Sequence, residues 1–377
     1  MKSPVTGLLT AALIAAIPAA SALGAAAGAQ DDRLPVTSVA GLPARVAQLQ
    51  QTGARVTRVD LYWSTAAPTR PANAKNPNDP AYNWDWADAI FSQLQKAKIT
   101  PIVTTWNAPA WATGGARGIK GVGWNSKGPL DPQDYADFMQ AVATRYNGVT
   151  NIPGVGTVNV KFYEVWNEPN LQIYMYPQYQ AGKPVAGALY AKMVNLTTPV
   201  VKAANPSAVV IAAVTGPKGG NDASGRGTLQ WYGDLKKAGM RQFTAVSQHI
   251  YPAAPPLQKT PAVPSWATLN KVIAAINTLP GGRSKKIYIT ETSYTTASTP
   301  YRKGKVSEKA QATYLKQIWS LPLVRSARIP VVMWFQAQDN INWPGGLFRD
   351  SGTTKPSLAA FQQVAKANPP KGNLVTR

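Results

Sequence analysis

Only four glutamates occur in this 377-residue chain, Glu164, Glu168, Glu291 and Glu308. Two of them stand four residues apart in residues 162–170, FYEVWNEPN, among aromatic and β-branched neighbours. A carboxylate in such an apolar run costs free energy unless it is paired or put to chemical use. A third, Glu291, closes a similar run, KIYITETSY. Two carboxyl groups with different surroundings can serve as a proton carrier and an anion, the requirement of general acid–base and nucleophilic chemistry. Glu168 and Glu291 are far apart in sequence, so only the fold can bring them together.

Runs rich in Val, Ile and aromatics read as strands buried on both faces, at 58–63, 101–106, 160–166, 208–214, 243–251, 286–294 and 330–335. Amphipathic stretches between them predict helices at 84–98, 132–146, 187–204, 228–238, 266–279, 308–319 and 357–367, with an earlier one at 42–51. Asp131-Pro132 and Ser307-Glu308 supply helix starts. The earliest helix needs a strand before it. Residues 23–30 fill that place, although their Ala and Gly content is poor for a strand. Eight strands alternating with eight helices predict an α/β fold, a single-domain (β/α)8 TIM barrel. The alternative is an open doubly wound sheet, but the glycine-rich turn usual after its first strand is missing. Strand alternation would put Glu164, Trp166 and Glu168 on one side, with Glu168 at the catalytic mouth and Glu164 deeper.

The segment Trp166-Asn167-Glu168-Pro169-Asn170, with Glu291 in ITET three strands later, resembles the clan A glycoside hydrolases. Within that clan the single-domain layout looks most like the family 39-like and family 5-like secreted bacterial enzymes. The resemblance covers residues 23–377 as one catalytic domain. It implies a (β/α)8 retaining glycosidase with Glu168 as acid/base and Glu291 as nucleophile, needing no cofactor and no metal. Such a reaction needs two carboxyl groups about 5–5.5 Å apart across the sugar. By the same resemblance Arg58 supports the nucleophile and Asn167 bonds the sugar 2-hydroxyl. His249 and Tyr251 line the site near the nucleophile, and Trp334 forms the aromatic platform under the reacting sugar. Trp106 and Asn107 stand where the family often has a histidine-containing pair. Glu164 is read as a buried partner of Arg58, and Glu308 as a first-turn carboxylate favoured by the helix dipole. The alternatives are a catalytically silent carbohydrate-binding or envelope protein on the same barrel, and a transglycosylase using the same residues.

Residues 1–22 read as an export signal: Lys2, an apolar centre at 8–17 and the small-residue site Ala20-Ser21-Ala22. The expectation is a secreted, monomeric mature chain without a transmembrane segment, possessing no cysteine and hence neither disulfides nor thiolate metal sites. A single histidine argues against a transition-metal centre. The net charge of +22 is spread along the chain with no nucleic-acid motif, so no nucleic-acid partner is expected. The basic residues Arg70, Lys75, Arg117, Lys120 and Lys127 in the long loops suggest a polysaccharide substrate of acidic or envelope-associated type.

Overall fold

The computed structural model describes residues 24–120 and 122–375, so the expected export signal lies outside the described residues. Eight strands form a single parallel sheet: β1 (Ala26–Gln30), β2 (Val56–Tyr62), β3 (Thr100–Trp106), β4 (Phe162–Val165), β5 (Val209–Thr215), β6 (Ala245–Ile250), β7 (Lys286–Thr292) and β8 (Val331–Phe335). Consecutive strands pair from β2 to β8, and β1 pairs with β8, which curls the sheet into a barrel. The ladder is interrupted only between β1 and β2, where the Thr57 hydroxyl donates to the Ala29 carbonyl at 2.7 Å.

The helices between the strands are α1 (Leu42–Gln51), α2 (Asp85–Lys96), α3 (Pro132–Arg145), α4 (Ala186–Ala204), α5 (Thr228–Lys237), α6 (Leu269–Ile276), α7 (Glu308–Ser320) and α8 (Pro356–Ala367). Asp131 caps α3 by accepting the Gln133 N–H, and Ser307 caps α7 by accepting that of Ala310. Capping of this kind satisfies donors that the first helical turn leaves unpaired. The architecture is the expected (β/α)8 barrel, with two small antiparallel hairpins, Asn147–Ile152 with Gly156–Asn159 and Tyr179–Gln180 with Lys183–Pro184, as additions. Glu308 does more than start α7, because it takes a two-point ion pair from Arg349 at 2.6 and 2.9 Å.

The small residues of β1 have a packing reason. A Cβ on Gly28 would lie 2.7 Å from the Met333 sulfur and 3.0 Å from the Val56 carbonyl oxygen. Close approach at the seam of the barrel therefore overrides the poor strand propensity of Ala and Gly. Inside the N-terminal end, Ala26, Val56, Ile102, Phe162, Ile211, Ala245, Tyr288, Val331 and Met333 pack into a plug, and Leu374 from the C-terminal segment covers it. Outward side chains of the strands form the larger core against the helices. Among the described residues no helix is long and apolar enough to cross a membrane.

Candidate active site

Above the plug, Arg58 on β2 is almost fully buried and holds four partners at once. Its Nε donates to Glu164 at 2.6 Å, its Nη1 to Glu291 at 2.7 Å and to Gln30 at 3.2 Å, and its Nη2 to Asn167 at 2.8 Å. Arg58 thereby links β1, β2, β4 and β7. Burial alone would weaken its charge, but Glu164, Glu291 and Asp60 outweigh that and hold the guanidinium above its ordinary pKa. Burial would likewise raise the Glu164 carboxyl, yet Arg58, His249 and the Thr104 hydroxyl, 2.6 Å away, hold it below the usual value. Glu164 is the buried counter-ion expected from the sequence, and Asn167 has its amide oxygen committed to Arg58.

Local backbone departures aim the two candidate glutamates. β4 ends at Val165, and both Trp166 and Glu168 adopt left-handed conformations, with φ of 68° and 38°. Such conformations cost non-glycine residues roughly 1–3 kcal/mol and need a surrounding structure that enforces them. The turn corrects the expectation that Glu164, Trp166 and Glu168 share one side. Trp166 packs outward on Tyr135 of α3 and donates to the Tyr174 carbonyl, while Asn167 and Glu168 enter the mouth. Glu168 fits because residue 216 is glycine, where a Cβ would lie 2.8 Å from the Glu168 carboxyl carbon. On β7, Tyr288 and Thr290 already point inward, so strict alternation would send Glu291 out to the helices. A one-residue register shift relative to both β6 and β8 turns Glu291 inward instead. Bulges commonly re-aim side chains beside active sites in this way.

His249 lies between the two glutamates, fully buried, with Nδ1 2.8 Å from Glu168 Oε1 and 3.4 Å from Glu291 Oε2. The facing atoms of all three residues lie within 4.8 Å of one another. Burial opposes a charge on the imidazole, but Glu291 and Glu168 overcome it and raise the His249 pKa. Burial also pushes the Glu291 carboxyl up, and Glu168 adds to this, while His249, Arg58 and the Tyr251 hydroxyl pull against it. Tyr251 donates to Glu291 Oε2 at 2.6 Å. Three such groups have the spacing of a cation site. Both Glu291 oxygens, however, already accept hydrogen bonds, one from a guanidinium, which leaves a poor donor set for a metal.

No family model and no curated protein matches the sequence. Solved structures do match. A family 39 glycoside hydrolase from the gut symbiont Bacteroides cellulosilyticus aligns with 92% of this chain at 20% identity and a TM-score of 0.58. This chain spans 64% of that protein's length. A GH39 β-xylosidase from Caulobacter crescentus aligns at 18% identity with a TM-score of 0.64, over 91% of this chain and 71% of that one. Xylanase 10B from Thermotoga maritima aligns at 16% identity with a TM-score of 0.56, over 92% and 96%. The chain shares their (β/α)8 barrel fold. The likeness expected from WNEPN and ITET therefore extends to the whole architecture.

On that barrel the other expected residues take different places. Trp106 is at the mouth, where its indole N–H donates to Asp60 at 3.0 Å and its ring meets Tyr62, Trp124 and Tyr174 edge-on. Asn107 follows it in a left-handed conformation and spends its amide oxygen on the Asn125 N–H, anchoring the loop. Trp334 requires correction. It is fully buried among the outward side chains and donates to the Gly345 carbonyl, because on β8 the inward positions are Val331, Met333 and Phe335. The aromatics facing the mouth there are Phe335 and Trp343, packed against Tyr251 at 6.0 and 4.6 Å. Sequence reasoning also passed over Gln30, Asp32 and Asp60, whose place at the ends of the first two strands was the available signal. Of the basic loop residues, Arg70 and Lys75 pair with Asp134 and Asp137 of α3, so they serve the scaffold.

Proposed function

We propose that this protein is an exported retaining β-glycosidase that uses Glu168 as proton donor and Glu291 as nucleophile, acting as a monomer on an oligo- or polysaccharide. The observation that carries the reading is the unequal pair: two carboxyl groups with facing oxygens within 4.8 Å, of which Glu291 accepts from Arg58 and Tyr251 while Glu168, among the described residues, hydrogen-bonds His249 alone. Arg58 and Tyr251 favour an anion at Glu291 against the burial that raises its carboxyl, and the WNEPN resemblance gives Glu168 the proton-donor role. The separation suits the retaining geometry, being well short of the roughly 6.5–9.5 Å at which inverting enzymes hold their carboxyl groups.

In the first step Glu291 Oε attacks the anomeric carbon, the glycosidic C–O bond breaks, and the Glu168 proton goes to the leaving oxygen. In the second, Glu168 takes a proton from water, whose oxygen attacks the same carbon and releases Glu291. Arg58 holds Glu291 in line, and Tyr251 supplies a second donor that releases the oxygen as the covalent bond forms. Asn167, fixed by Arg58, presents its amide N–H2 group to the sugar. The basic surface gives long-range attraction to an anionic envelope after export, at a distance from the reacting sugar.

The test is hydrolysis of aryl β-glycosides by wild type, Glu168→Ala and Glu291→Ala, with the anomer of the first product read by NMR. Glu291→Ala should lose turnover on every substrate. Glu168→Ala should lose roughly 10²–10⁴-fold on poor leaving groups and much less on good ones. An inverted first product, or turnover indifferent to both substitutions, would sink the reading.

A further inference from the structure

The mouth gathers five carboxyl groups, Asp32, Asp60, Glu164, Glu168 and Glu291, around two cationic or ionisable side chains, Arg58 and His249. This happens in a chain whose net charge is +22 and which has only 17 acidic residues in all. Glu164 anchors Arg58, and the two remaining glutamates carry the proposed chemistry. Asp31 is spent on Arg45 at 2.5 Å. Asp60 has only a longer approach to Arg58, at 3.8 Å, and Asp32 has no ion pair among the described residues.

Asp60 is 8% exposed. Its Oδ1 accepts the Trp106 indole N–H, and its Oδ2 has no hydrogen-bond partner among the described residues. Arg58 Nη1 lies 3.8 Å from Asp60 and 2.7 Å from Glu291, so the two carboxyl groups flank one nitrogen. A sugar with its anomeric carbon at Glu291 then has its ring substituents within reach of Asp60. Asp32 joins through Gln30, whose amide donates to Asp32 at 2.8 Å and whose oxygen accepts from the same Arg58 nitrogen. Burial pushes both aspartates up, and for Asp32 the neighbouring Asp60 and Glu291 add to it. The hydroxyls of Tyr62 and Tyr174, which sense these charges, also lack hydrogen-bond partners among the described residues.

Resting on the glycosidase reading above, we propose that the reacting sugar carries a free amino group and that Asp60, with Asp32 beside it, is the carboxylate pair that reads it. A neutral sugar offers hydroxyl donors but leaves the charge imbalance in place. A uronic acid worsens the imbalance. A protonated amine corrects it with a charge-assisted hydrogen bond in a water-poor site, where like and unlike charges differ most. The substrate class is thus a glycosaminide with an unacylated amine, and the basic loops play no part in choosing it.

The experiment compares aryl β-glucosaminide, β-glucoside and β-glucuronide, with the matching galacto series, just below neutral pH. The expected order of kcat/KM is amino, neutral, uronic, with steps of roughly 10-fold or more. Asp60→Asn keeps an oxygen for the Trp106 N–H and removes the charge. It should lower the amino-sugar kcat/KM by roughly 10–100-fold more than it lowers the neutral-sugar value. Asp32→Asn should act in the same direction and decides the matter if Asp60→Asn does not fold. A neutral or uronic substrate that outperforms the amino sugar overturns the proposal, as does an Asp60→Asn loss equal on all three. Calorimetric titration with free glucosamine and glucose separates the two readings. Glucosamine binding that Asp60→Asn abolishes upholds the amino-sugar assignment even if no glycoside is cleaved, whereas equal or absent binding of both sugars, with no glucosaminide turnover, overturns it.

Discussion

At the N-terminal end of the barrel the inward side chains are Val56, Ile102 and Phe162; two residues further along the same strands they are Arg58, Thr104 and Glu164. One more layer up stand Asp60 and Trp106, with Glu168 and Glu291 delivered by the turn after β4 and the bulge in β7. The lower end is held by apolar burial, worth about 25 cal/mol per Å² of surface removed from water. The upper end does the reverse, concentrating buried like charges that cost stability unless other groups compensate them. The lesson is a division of labour along each strand, in which the plug offsets the cost of the mouth.

That contrast can be tested from both ends. Phe162→Ala should cost about 3–5 kcal/mol of stability in urea melts by opening a cavity in the plug. The kcat/KM of the folded fraction should stay unchanged; a large loss there would show that the plug also shapes the mouth.

Glu164→Gln removes the charge that holds Arg58 from below and places an amide donor near guanidinium donors, costing about 1–3 kcal/mol. The folded pKa of Glu164 is depressed, so its contribution is full above the unfolded value and is lost as pH falls through the folded one. The stability gap between wild type and variant should therefore be widest near neutrality and close in acid. A gap independent of pH would mean that Glu164 acts through packing alone.

Tyr251→Phe takes one donor from Glu291 and should lower kcat/KM by roughly 10-fold. The Tyr251 bond favours the ionised carboxylate, so its loss should move the acid limb of the pH–rate profile upward. An unmoved limb would place the controlling ionisation elsewhere.

The smallest effect has the opposite sign. Burial raises the Glu291 pKa, so its ionisation works against the folded state as pH rises through the folded value. Glu291→Gln should gain about 1 kcal/mol at neutral pH while losing turnover, the usual exchange of stability for activity. A destabilised Glu291→Gln would show that its bond to Arg58 outweighs the cost of burying the charge.

The sequence by itself determined the alternation of strands and helices, because hydrophobic periodicity, caps and turn residues are local signals. It placed both candidate glutamates at strand ends, since WNEPN and ITET stand within recognisable strands, and the resemblance those motifs carry pointed to Arg58, His249 and Tyr251, which the fold brings beside the glutamates. It even required a strand at the alanine-rich start, for the count alone, whereas only the Gly28 contact explains why those residues are small there. Tertiary structure decided which way side chains face wherever period-two alternation breaks. The left-handed turn sent Trp166 outward and Glu168 inward, the β7 bulge brought Glu291 into the mouth, and the phase of β8 put Phe335 rather than Trp334 toward the site. It also decided the company that Asp32 and Asp60 keep. Charge composition sums over the chain and reads +22, but an electrostatic site depends on distance, and only the closed barrel gathers five of the acids around Arg58.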